Sequence, residues 1–302
     1  MTTWGELRTN TETRLRDMRV LRPDTEARWM VERVSGYDGV ELVMGEHEPA
    51  TALALSHIDE MLARRAAGEP LQYVLGQWNF LGLDLLVDRR VLIPRPETEM
   101  AATTAVEEMV RLGARRGRHD HWGGATTEFV VADLGTGSGA IALALASELP
   151  DAQVWATDLS DDALAVARAN LAGIGSAATR VRLAAGSWFA ALPDDLRGGL
   201  RLVVANPPYV ADHEVADLPA EVADWEPRAA LVSGATGLEA IETIVADAPA
   251  WLDPGGGALV VELAPHQAGA ARALAVDAGF VDVDVRADLA GRDRVLVARV
   301  GS

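Results

Sequence analysis

The sequence predicts an α/β fold in which a parallel β-sheet is covered by helices on both faces and is preceded by a smaller helical domain. Strand-like and helix-like blocks alternate from Glu128 onward, as they do where helices join the strands of a parallel sheet. The chain has 302 residues, enough for one sizeable domain and a smaller one. With 49% hydrophobic and 24% charged residues, its composition is that of a globular protein.

The N-terminal region is predicted to be helical. Leu55, Ile58 and Leu62 fall on one face of a helix because they are spaced i, i+3 and i+7. Gly68, closely followed by a proline, ends that helix. We therefore assign a helical domain to residues 1–70.

The next segment, residues 71–96, is expected to form a β-hairpin linker. Its short β-prone runs are broken by Gly76 and Gly82, and it leads into the sequence LIPRPETE. The larger domain then occupies residues 97–302.

The blocks of the larger domain follow one another in a regular order. The predicted strands are EFVVADLG, VWATDLS, RVRLAAG and LRLVVANPPY, and the predicted helices are AIALALASEL and DDALAVARANL. The C-terminal third adds the strand GGALVVEL and the helix AGAARALAVDAG. Two final β-prone runs, FVDVDV and RVLVARV, are expected to pair as an antiparallel edge.

Composition excludes several classes of site and partner. The chain has no cysteine, which rules out disulfides, thiolate nucleophiles and Cys-ligated zinc. Its six histidines are scattered, and the closest pair, His119 and His121, lies in a Gly/Arg-rich stretch typical of a solvated loop, so no metal is expected. The net charge of −18 repels phosphate backbones and disfavours stable binding to nucleic acid. Because neither a signal sequence nor a membrane-length apolar run is present, we expect a cytoplasmic protein without a membrane partner.

The segment DLGTGSG, residues 133–139, is the first candidate binding motif. It follows an apolar strand and opens a helix, where glycine allows a tight turn and a close approach of the backbone to a ligand. Glycines also serve purely structural turns, so the motif alone leaves both interpretations open. A dinucleotide loop would carry its third glycine one residue later, and no second phosphate-binding loop follows. S-adenosylmethionine has no phosphate and fits this loop better.

Asp158 is the second candidate, since it ends the next strand about twenty residues beyond the glycines, where an acidic side chain can accept hydrogen bonds from both ribose hydroxyls. Its alternative role is to cap the following helix. Ser160 is better placed for capping, and Asp161 and Asp162 suit the positive end of the helix dipole. Asp158 is therefore expected to be free for a ligand.

Trp188 follows the third strand in the sequence GSWF. An aromatic ring at this place either lies against an adenine or belongs to the core, and position alone leaves the two interpretations equally open.

The tetrapeptide Asn206-Pro207-Pro208-Tyr209, which we call the acceptor fork, follows the buried-strand pattern LRLVVA. It therefore lies at the carboxyl edge of the sheet, where open α/β folds bind ligands. Proline restricts the backbone and has no N–H, so the carbonyls nearby stay free to accept hydrogen bonds. The Asn206 side-chain oxygen and the Pro207 carbonyl can then hold both N–H bonds of a planar NH2 group, while Tyr209 walls the pocket. A Pro-rich turn that merely ends a strand is the alternative, and the motif alone leaves an amide and an adenine amine as nearly equal acceptors.

With these motifs in place, the chain resembles the bacterial peptide chain release factor glutamine N5-methyltransferases over nearly its whole length. The resemblance rests on the segments RRAAGEPLQYVLGQWNFLGLDLLVDRRVLIPRPETE, DLGTGSGAIALALA, ATDLSDDALAVARAN, GSWF, VVANPPYV, EPRAALVSGATGLEAI and DLAGRDRVLVAR. Its most specific part is IPRPETE combined with NPPY.

The resemblance implies a Rossmann-like, seven-stranded methyltransferase domain with a helical substrate-recognition domain and a hairpin linker. It implies methylation of the glutamine N5 in the Gly-Gly-Gln motif of release factors, with S-adenosylmethionine as donor and S-adenosylhomocysteine as product. The residues it assigns to the cofactor are Gly135, Thr136, Gly137, Ser138, Gly139, Asp158, Trp188 and Asn206. Those it assigns to the glutamine are Asn206, Pro207, Pro208 and Tyr209.

The chain departs from the family pattern at a few positions. Ser187 stands where relatives usually carry aspartate, which weakens or rearranges a polar contact near the adenine amine. Ala264 replaces a usual glycine, and the basic stretch before Glu128 is longer than common.

Glu97 and Glu99 form a pair of carboxylates in the linker motif. Their i, i+2 spacing does not put both on one helix face, and methylating an amide needs no such pair. We expect Glu97 to have a supporting role near the cofactor.

Three other functions remain as alternatives. A ribosomal-protein glutamine methyltransferase shares the acceptor fork but resembles the linker less well. An adenine-N6 DNA methyltransferase acts on the same planar NH2 group, but the net charge of −18 disfavours it. A noncatalytic S-adenosylmethionine-binding partner of the translation machinery is disfavoured by the intact fork. We expect a monomer whose protein partners are release factors.

Overall fold

The structure, a computed structural model, describes residues 1–113 and 129–301 of the chain. Glu128 and the histidine pair His119 and His121 lie outside these residues, so the interpretations given to them stay sequence predictions.

The secondary structure agrees with the predicted order of elements. The helices are α1 (Trp4–Asp17), α2 (Pro23–Ser35), α3 (Gly39–Met44), α4 (Ala52–Ala66), α5 (Leu71–Leu75), α6 (Pro96–Arg111), α7 (Ala140–Glu148), α8 (Asp161–Leu171), α9 (Ala220–Ala223), α10 (Arg228–Leu231), α11 (Glu239–Trp251) and α12 (Ala268–Asp277). The strands are β1 (Gln77–Phe80), β2 (Leu83–Leu86), β3 (Phe129–Leu134), β4 (Ala152–Asp158), β5 (Val181–Ala185), β6 (Leu200–Ala205), β7 (Ala258–Glu262), β8 (Asp282–Ala287) and β9 (Asp293–Arg299).

The described residues fall into two compact units, and the first comprises residues 1–77 and 219–225. It is helical, as predicted, and the expected helix around Ile58 is α4, whose first turn is capped by the side chain of Thr51. Arg65 on α4 stabilises this unit because its guanidinium binds Glu26 of α2 at 2.8 Å and Glu221 of α9 at 2.7 Å.

One local prediction is wrong: the run Leu71–Leu75 is the helix α5 and not a β-strand. Pro70 precedes its first residue, and Gly76, with φ of 71°, ends it in the left-handed conformation that glycine adopts without strain. The apolar side chains of this helix are buried, so tertiary packing outweighs their β propensity. The β-hairpin predicted after it is formed by β1 and β2.

The second unit comprises residues 78–218 and 226–302. Apart from the β1–β2 hairpin, its described strands form a seven-stranded sheet in the order β5-β4-β3-β6-β7-β9-β8, in which β9 runs antiparallel to both of its neighbours. The predicted antiparallel pair is therefore confirmed, with β8 at the edge of the sheet.

Two apolar layers cover the faces of this sheet, because successive residues of each strand point to opposite sides. Val131 and Val204 face one layer, which contains α6 and α7. Ala132 and Val203, their neighbours in sequence, face the other, which contains α11 and α12. This arrangement confirms the predicted α/β fold class.

Within the described residues, every helix is too short or too polar to span a bilayer.

Candidate active site

The predicted motifs meet at the carboxyl edge of the sheet. Leu134, the last residue of β3, is paired with Thr157 of β4 on one side and with Ala205 of β6 on the other. The glycine loop, Asp158 and the acceptor fork therefore begin side by side. Between β3 and β6 the strand order reverses, and open α/β sheets form a ligand crevice at such a point.

The backbone of the glycine loop, residues 135–139, is held by the protein itself. The N–H groups of Gly135 and Thr136 donate to the Thr157 carbonyl at 2.9 and 2.8 Å, and the N–H of Gly139 donates to the Thr136 carbonyl. A phosphate-binding loop needs such N–H groups for its ligand. Their internal use agrees with a ligand that has no phosphate.

Asp133 anchors this loop through its carboxylate. Its Oδ2 accepts hydrogen bonds from the Thr136 hydroxyl at 2.6 Å and from the Ala142 N–H at 3.0 Å, and the side chain is buried. Burial raises the pKa of Asp133 to about 7, with a further contribution from the neighbouring charge of Asp158. Thr136 therefore stabilises the loop through its hydroxyl, and it also lines the site.

Asp158 has both carboxylate oxygens engaged by backbone donors. Oδ2 accepts from the Gly137 N–H at 2.8 Å, and Oδ1 accepts from the Ser160 N–H at 2.9 Å. The Ser160 hydroxyl caps α8 through the Ala163 N–H, as predicted. Burial raises the pKa of Asp158, and these backbone hydrogen bonds oppose the rise. Each carboxylate oxygen has a second lone pair for a ligand, so Asp158 fixes the loop and can still accept hydrogen bonds.

Trp188 has an unusual backbone, with φ of 45° in the left-handed region that side-chain-bearing residues seldom adopt. The loop glycine Gly135 explains how close the ring comes, since a Cβ there would lie 3.1 Å from Cζ3 of Trp188. The indole is therefore packed against the glycine loop, and it also packs on the apolar layer that contains α11 and α12. Its contact with an adenine stays a prediction.

A cavity of about 400 Å³ opens at this edge, a size typical of sites for small molecules. The predicted residues that line it are Gly135, Thr136, Gly137, Ser138, Asp158, Trp188, Asn206 and Pro208. Gly139, Pro207 and Tyr209 are not part of this lining. Gly139 serves packing, because a Cβ there would lie 3.3 Å from the Leu143 side chain. Ser187 also lines the cavity.

Asn206 is oriented by a residue that the sequence analysis did not select. Its Nδ2 donates to the Thr98 hydroxyl at 3.0 Å, which directs the Oδ1 oxygen to the opposite side of the amide. Thr98 lies in the first turn of α6, between Glu97 and Glu99, and lines the cavity. Its position between two more conspicuous glutamates gave no separate signal in the sequence.

The two glutamates contact other groups. Glu97 lies 3.6 Å from Arg292 and 3.7 Å from Arg294, and Glu99 accepts a hydrogen bond from the Leu81 N–H. Neither lines the cavity.

The backbone of the acceptor fork is fixed by Gln267, which the sequence analysis also missed. Its Nε2 donates to the carbonyls of Tyr209 at 2.9 Å and Gly237 at 3.0 Å, and its Oε1 accepts from the Ala264 N–H. The Val210 N–H further donates to the Leu231 carbonyl at 2.9 Å. The fork is thus held from both sides by the chain that follows it.

Glu262, the last residue of β7, is an ionisable group close to the fork. Ala205 and Val261 are paired in the sheet, so Asn206 and Glu262 follow neighbouring positions. Burial raises the pKa of Glu262 to about 7. Burial likewise raises the pKa of the Tyr209 phenol to about 12, and Glu262 adds to that rise. An acid that ends the wholly apolar run GGALVV was the available signal for this residue.

Comparison with known proteins gives two family matches and many relatives. The family described as PrmC N-terminal domain matches residues 6–76, and the family described as Methyltransferase small domain matches residues 125–222. The release factor glutamine methyltransferase of Burkholderia pseudomallei is 41% identical over 278 residues, which cover 91% of each chain. That of Bordetella pertussis is 41% identical over 273 residues, which cover 90% of this chain and 93% of the relative.

Among solved structures, the hMettl16 catalytic domain in complex with MAT2A 3′UTR hairpin 6 matches with a TM-score of 0.54. The match covers 80% of this chain and 82% of that one at 17% identity. At this level of identity the likeness concerns the fold alone.

Proposed function

The chain belongs to the release factor glutamine methyltransferases, and on this premise we propose that it transfers a methyl group from S-adenosylmethionine to the side-chain N5 of a release factor glutamine. The acceptor is the glutamine of the Gly-Gly-Gln motif. The observation that carries this proposal is the orientation of Asn206, whose Nδ2 is held by Thr98 so that its Oδ1 is available at the cavity.

The cavity suits S-adenosylmethionine, which supplies an electrophilic methyl group on a positively charged sulfur. We assign to this ligand the cavity-lining residues Gly135, Thr136, Gly137, Ser138, Asp158, Trp188 and Asn206, together with Gly139, which supports the loop through its packing on Leu143. Asp158 is suited to accept from ribose hydroxyls and the Trp188 ring to stack on an adenine. The glycine loop, in which the N–H groups of Gly135, Thr136 and Gly139 bond to backbone carbonyls, offers a tight surface without a phosphate cradle. S-adenosylhomocysteine is the expected product.

The acceptor fork addresses the poor nucleophilicity of an amide nitrogen. Its lone pair is delocalised into the carbonyl, and hydrogen bonds from its two N–H groups to Asn206 Oδ1 and the Pro207 carbonyl shift electron density back to nitrogen. Holding both N–H groups also aims the nitrogen at the methyl group. Transfer would leave the sulfur neutral and the amide nitrogen positively charged, and that nitrogen would release one proton to water, so no strong general base is required. Pro208 lines the cavity, and we assign Tyr209, which does not, to a wall of the neighbouring acceptor pocket.

The remaining assignments follow from this activity. Residues 1–70 form the substrate-recognition domain, residues 71–96 the linker and residues 97–302 the methyltransferase domain. We expect this activity in the cytoplasm, because release factors act with ribosomes. We assign a monomer, because one chain carries both the cofactor and acceptor residues.

A labelling experiment tests the proposal against its rivals. The protein is incubated with methyl-labelled S-adenosylmethionine and, in separate reactions, a release factor, the same factor with its Gly-Gly-Gln glutamine replaced, ribosomal protein, or DNA. We expect label only in the unaltered release factor. Label in DNA or ribosomal protein, or in none of the four, contradicts the proposed substrate.

The variant Asn206→Ala tests the acceptor fork in the same assay. We expect it to lose methyl transfer, because it removes the oxygen that holds the amide. A variant that labels the release factor at the wild-type rate contradicts the role assigned to Asn206.

A further inference from the structure

Glu262 is a buried carboxyl group without a strong partner. The side chain is 1% exposed, and neither of its oxygens forms a hydrogen bond of standard geometry within the described residues. Thr98 is the polar side chain that opposes the larger, burial-driven rise in the pKa of Glu262, although no hydrogen bond of standard geometry joins the two. Burying an acid in this way is costly.

Thr98 links Glu262 to the acceptor fork. The residue is 3% exposed, and its hydroxyl accepts the hydrogen bond from Asn206 Nδ2 at 3.0 Å. A threonine hydroxyl has one proton to donate and two lone pairs with which to accept. Because the lone pairs face Asn206, the single proton is available to the carboxylate.

The ionised carboxylate determines the direction of this chain of contacts. When Glu262 is ionised it can only accept, so a Thr98 hydroxyl turned toward it acts as the donor and presents its lone pairs to Asn206. Lone pairs attract the NH2 end of the Asn206 amide and repel its oxygen.

We infer that Glu262 and Thr98 are positioning residues, which hold the Asn206 amide with Oδ1 toward the acceptor nitrogen. This inference rests on the proposed function, because only an acceptor with two N–H bonds needs the oxygen at that place. If the Thr98 hydroxyl cannot accept this hydrogen bond, the Asn206 amide can turn over. Its NH2 group then faces the NH2 group of the substrate, and the two donors repel each other.

The charges around Glu262 come from three elements. Arg294 of β9 and Arg95, which precedes α6, favour its ionised form, whereas Glu97 of α6 disfavours it. The Tyr209 phenol, with its pKa raised to about 12, stays neutral near pH 7. The arginines therefore oppose the burial-driven rise, which still leaves the pKa of Glu262 at about 7, so the ionised form that the orienting contact requires predominates above that pH.

The first test compares three threonine variants. Thr98→Val removes the hydroxyl at nearly constant shape, Thr98→Ser keeps it, and Thr104→Val makes the same change at a buried threonine of the same helix, 3% exposed. We expect Thr98→Val to lower kcat for methyl transfer to the release factor by about tenfold or more, with the Kd for S-adenosylmethionine within about threefold of wild type. Thr98→Ser and Thr104→Val should retain kcat.

Either of two kinetic outcomes would overturn the inference. Wild-type kcat in Thr98→Val, or an equal loss in Thr98→Val and Thr104→Val, shows that the hydroxyl does not position Asn206.

The second test follows the amide directly and needs no methyl transfer. The chain has four asparagines, Asn10, Asn79, Asn170 and Asn206, so selective ¹⁵N-asparagine labelling gives four side-chain NH2 signals. The Asn206 signal is identified by its loss in Asn206→Ala.

We expect Thr98→Val and Glu262→Gln to shift the Asn206 signal and speed its exchange with water, and Thr98→Ser and Thr104→Val to leave it in place. An Asn206 signal unchanged in both Thr98→Val and Glu262→Gln overturns the inference. If wild type fails to methylate a release factor, the proposed function fails while these spectra still decide whether the orienting contact exists.

Discussion

A Cβ placed on Gly237 would lie 2.6 Å from the backbone oxygen of Tyr209. Real Cβ atoms do not approach an oxygen so closely, so only glycine lets the chain cross behind the acceptor fork at this point. The same carbonyl accepts the Gln267 hydrogen bond, and the Cβ would lie 2.9 Å from that donor as well. The position of the fork therefore depends on a residue far from it in sequence.

We expect Gly237→Ala to reduce methyl transfer to the release factor by about tenfold or more, because displacement of the fork by even an ångström misaligns the amide. The Kd for S-adenosylmethionine should change little, since Gly237 does not line the cavity. Steady-state kinetics and calorimetric titration measure the two effects.

Gly198→Ala is the matched control for that variant. Gly198 has φ of 74° against 80° for Gly237, but a Cβ there meets nothing within 4 Å. Both variants bear the backbone strain of a positive φ, which costs about 1 kcal/mol, and only one bears the clash. Equal activity in the two variants contradicts the role of the close approach.

Asp158→Asn should weaken binding of S-adenosylmethionine by about tenfold or more, because one oxygen that accepts from Gly137 or Ser160 becomes a donor and a charged acceptor for the ribose is lost. Asp161→Asn, at an exposed aspartate in the first turn of α8, is the control and should bind as wild type does. Calorimetric titration of both variants measures the difference. Similar Kd values for Asp158→Asn and wild type contradict the assignment of Asp158.

The sequence predicted the parts of the site that are local. The glycine loop, Asp158 and Asn206 each follow directly after an apolar strand, and parallel strands bring such positions to one edge. Gly237, Gln267 and Glu262 meet the fork only through the folded chain, and nothing in their neighbours marks that contact.

The fold was likewise predictable where local sequence patterns determine it. The strands of the sheet and the helices that cover it alternate along the chain, and each can be recognised from its own residues. The helix α5 was missed because its residues favour β-structure locally, whereas Pro70 and Gly76 set its ends and burial of Tyr73 and Leu75 stabilises it. Local propensity failed here because four of the five residues of α5 are buried by tertiary packing.

Ser187→Asp should strengthen binding of S-adenosylmethionine by about tenfold, because a carboxylate at this cavity-lining position can accept a hydrogen bond from the adenine amine. Ser187→Ala is the control and should show no gain. Calorimetric titration at constant ionic strength measures both. An unchanged or weaker affinity for Ser187→Asp contradicts the placement of the adenine beside Ser187.

Glu108 is the centre of a buried ion-pair network, and its removal should destabilise the protein. The carboxylate lies 2.8 Å from Arg111, 3.0 Å from Arg286 and 2.7 Å from Arg299, and its side chain is 2% exposed. Burial alone would raise its pKa, but hydrogen bonds from Arg299 and Arg111 outweigh burial and lower it to about 2. Glu108→Gln should lower the free energy of unfolding near pH 7 by about 3 kcal/mol.

The stability difference between wild type and Glu108→Gln is expected to depend on pH. A carboxyl whose pKa is lower in the folded state stabilises the fold above its unfolded pKa, near 4.5, and that contribution is lost as the pH falls toward 2. The difference in unfolding free energy between wild type and Glu108→Gln should therefore be constant above pH 6 and shrink on acidification below pH 4.5. Glu107→Gln, which removes an exposed partner of Arg286, should cost less than about 1 kcal/mol. Denaturant unfolding of the three proteins across this pH range measures the effect, and a difference that persists unchanged at pH 3 contradicts it.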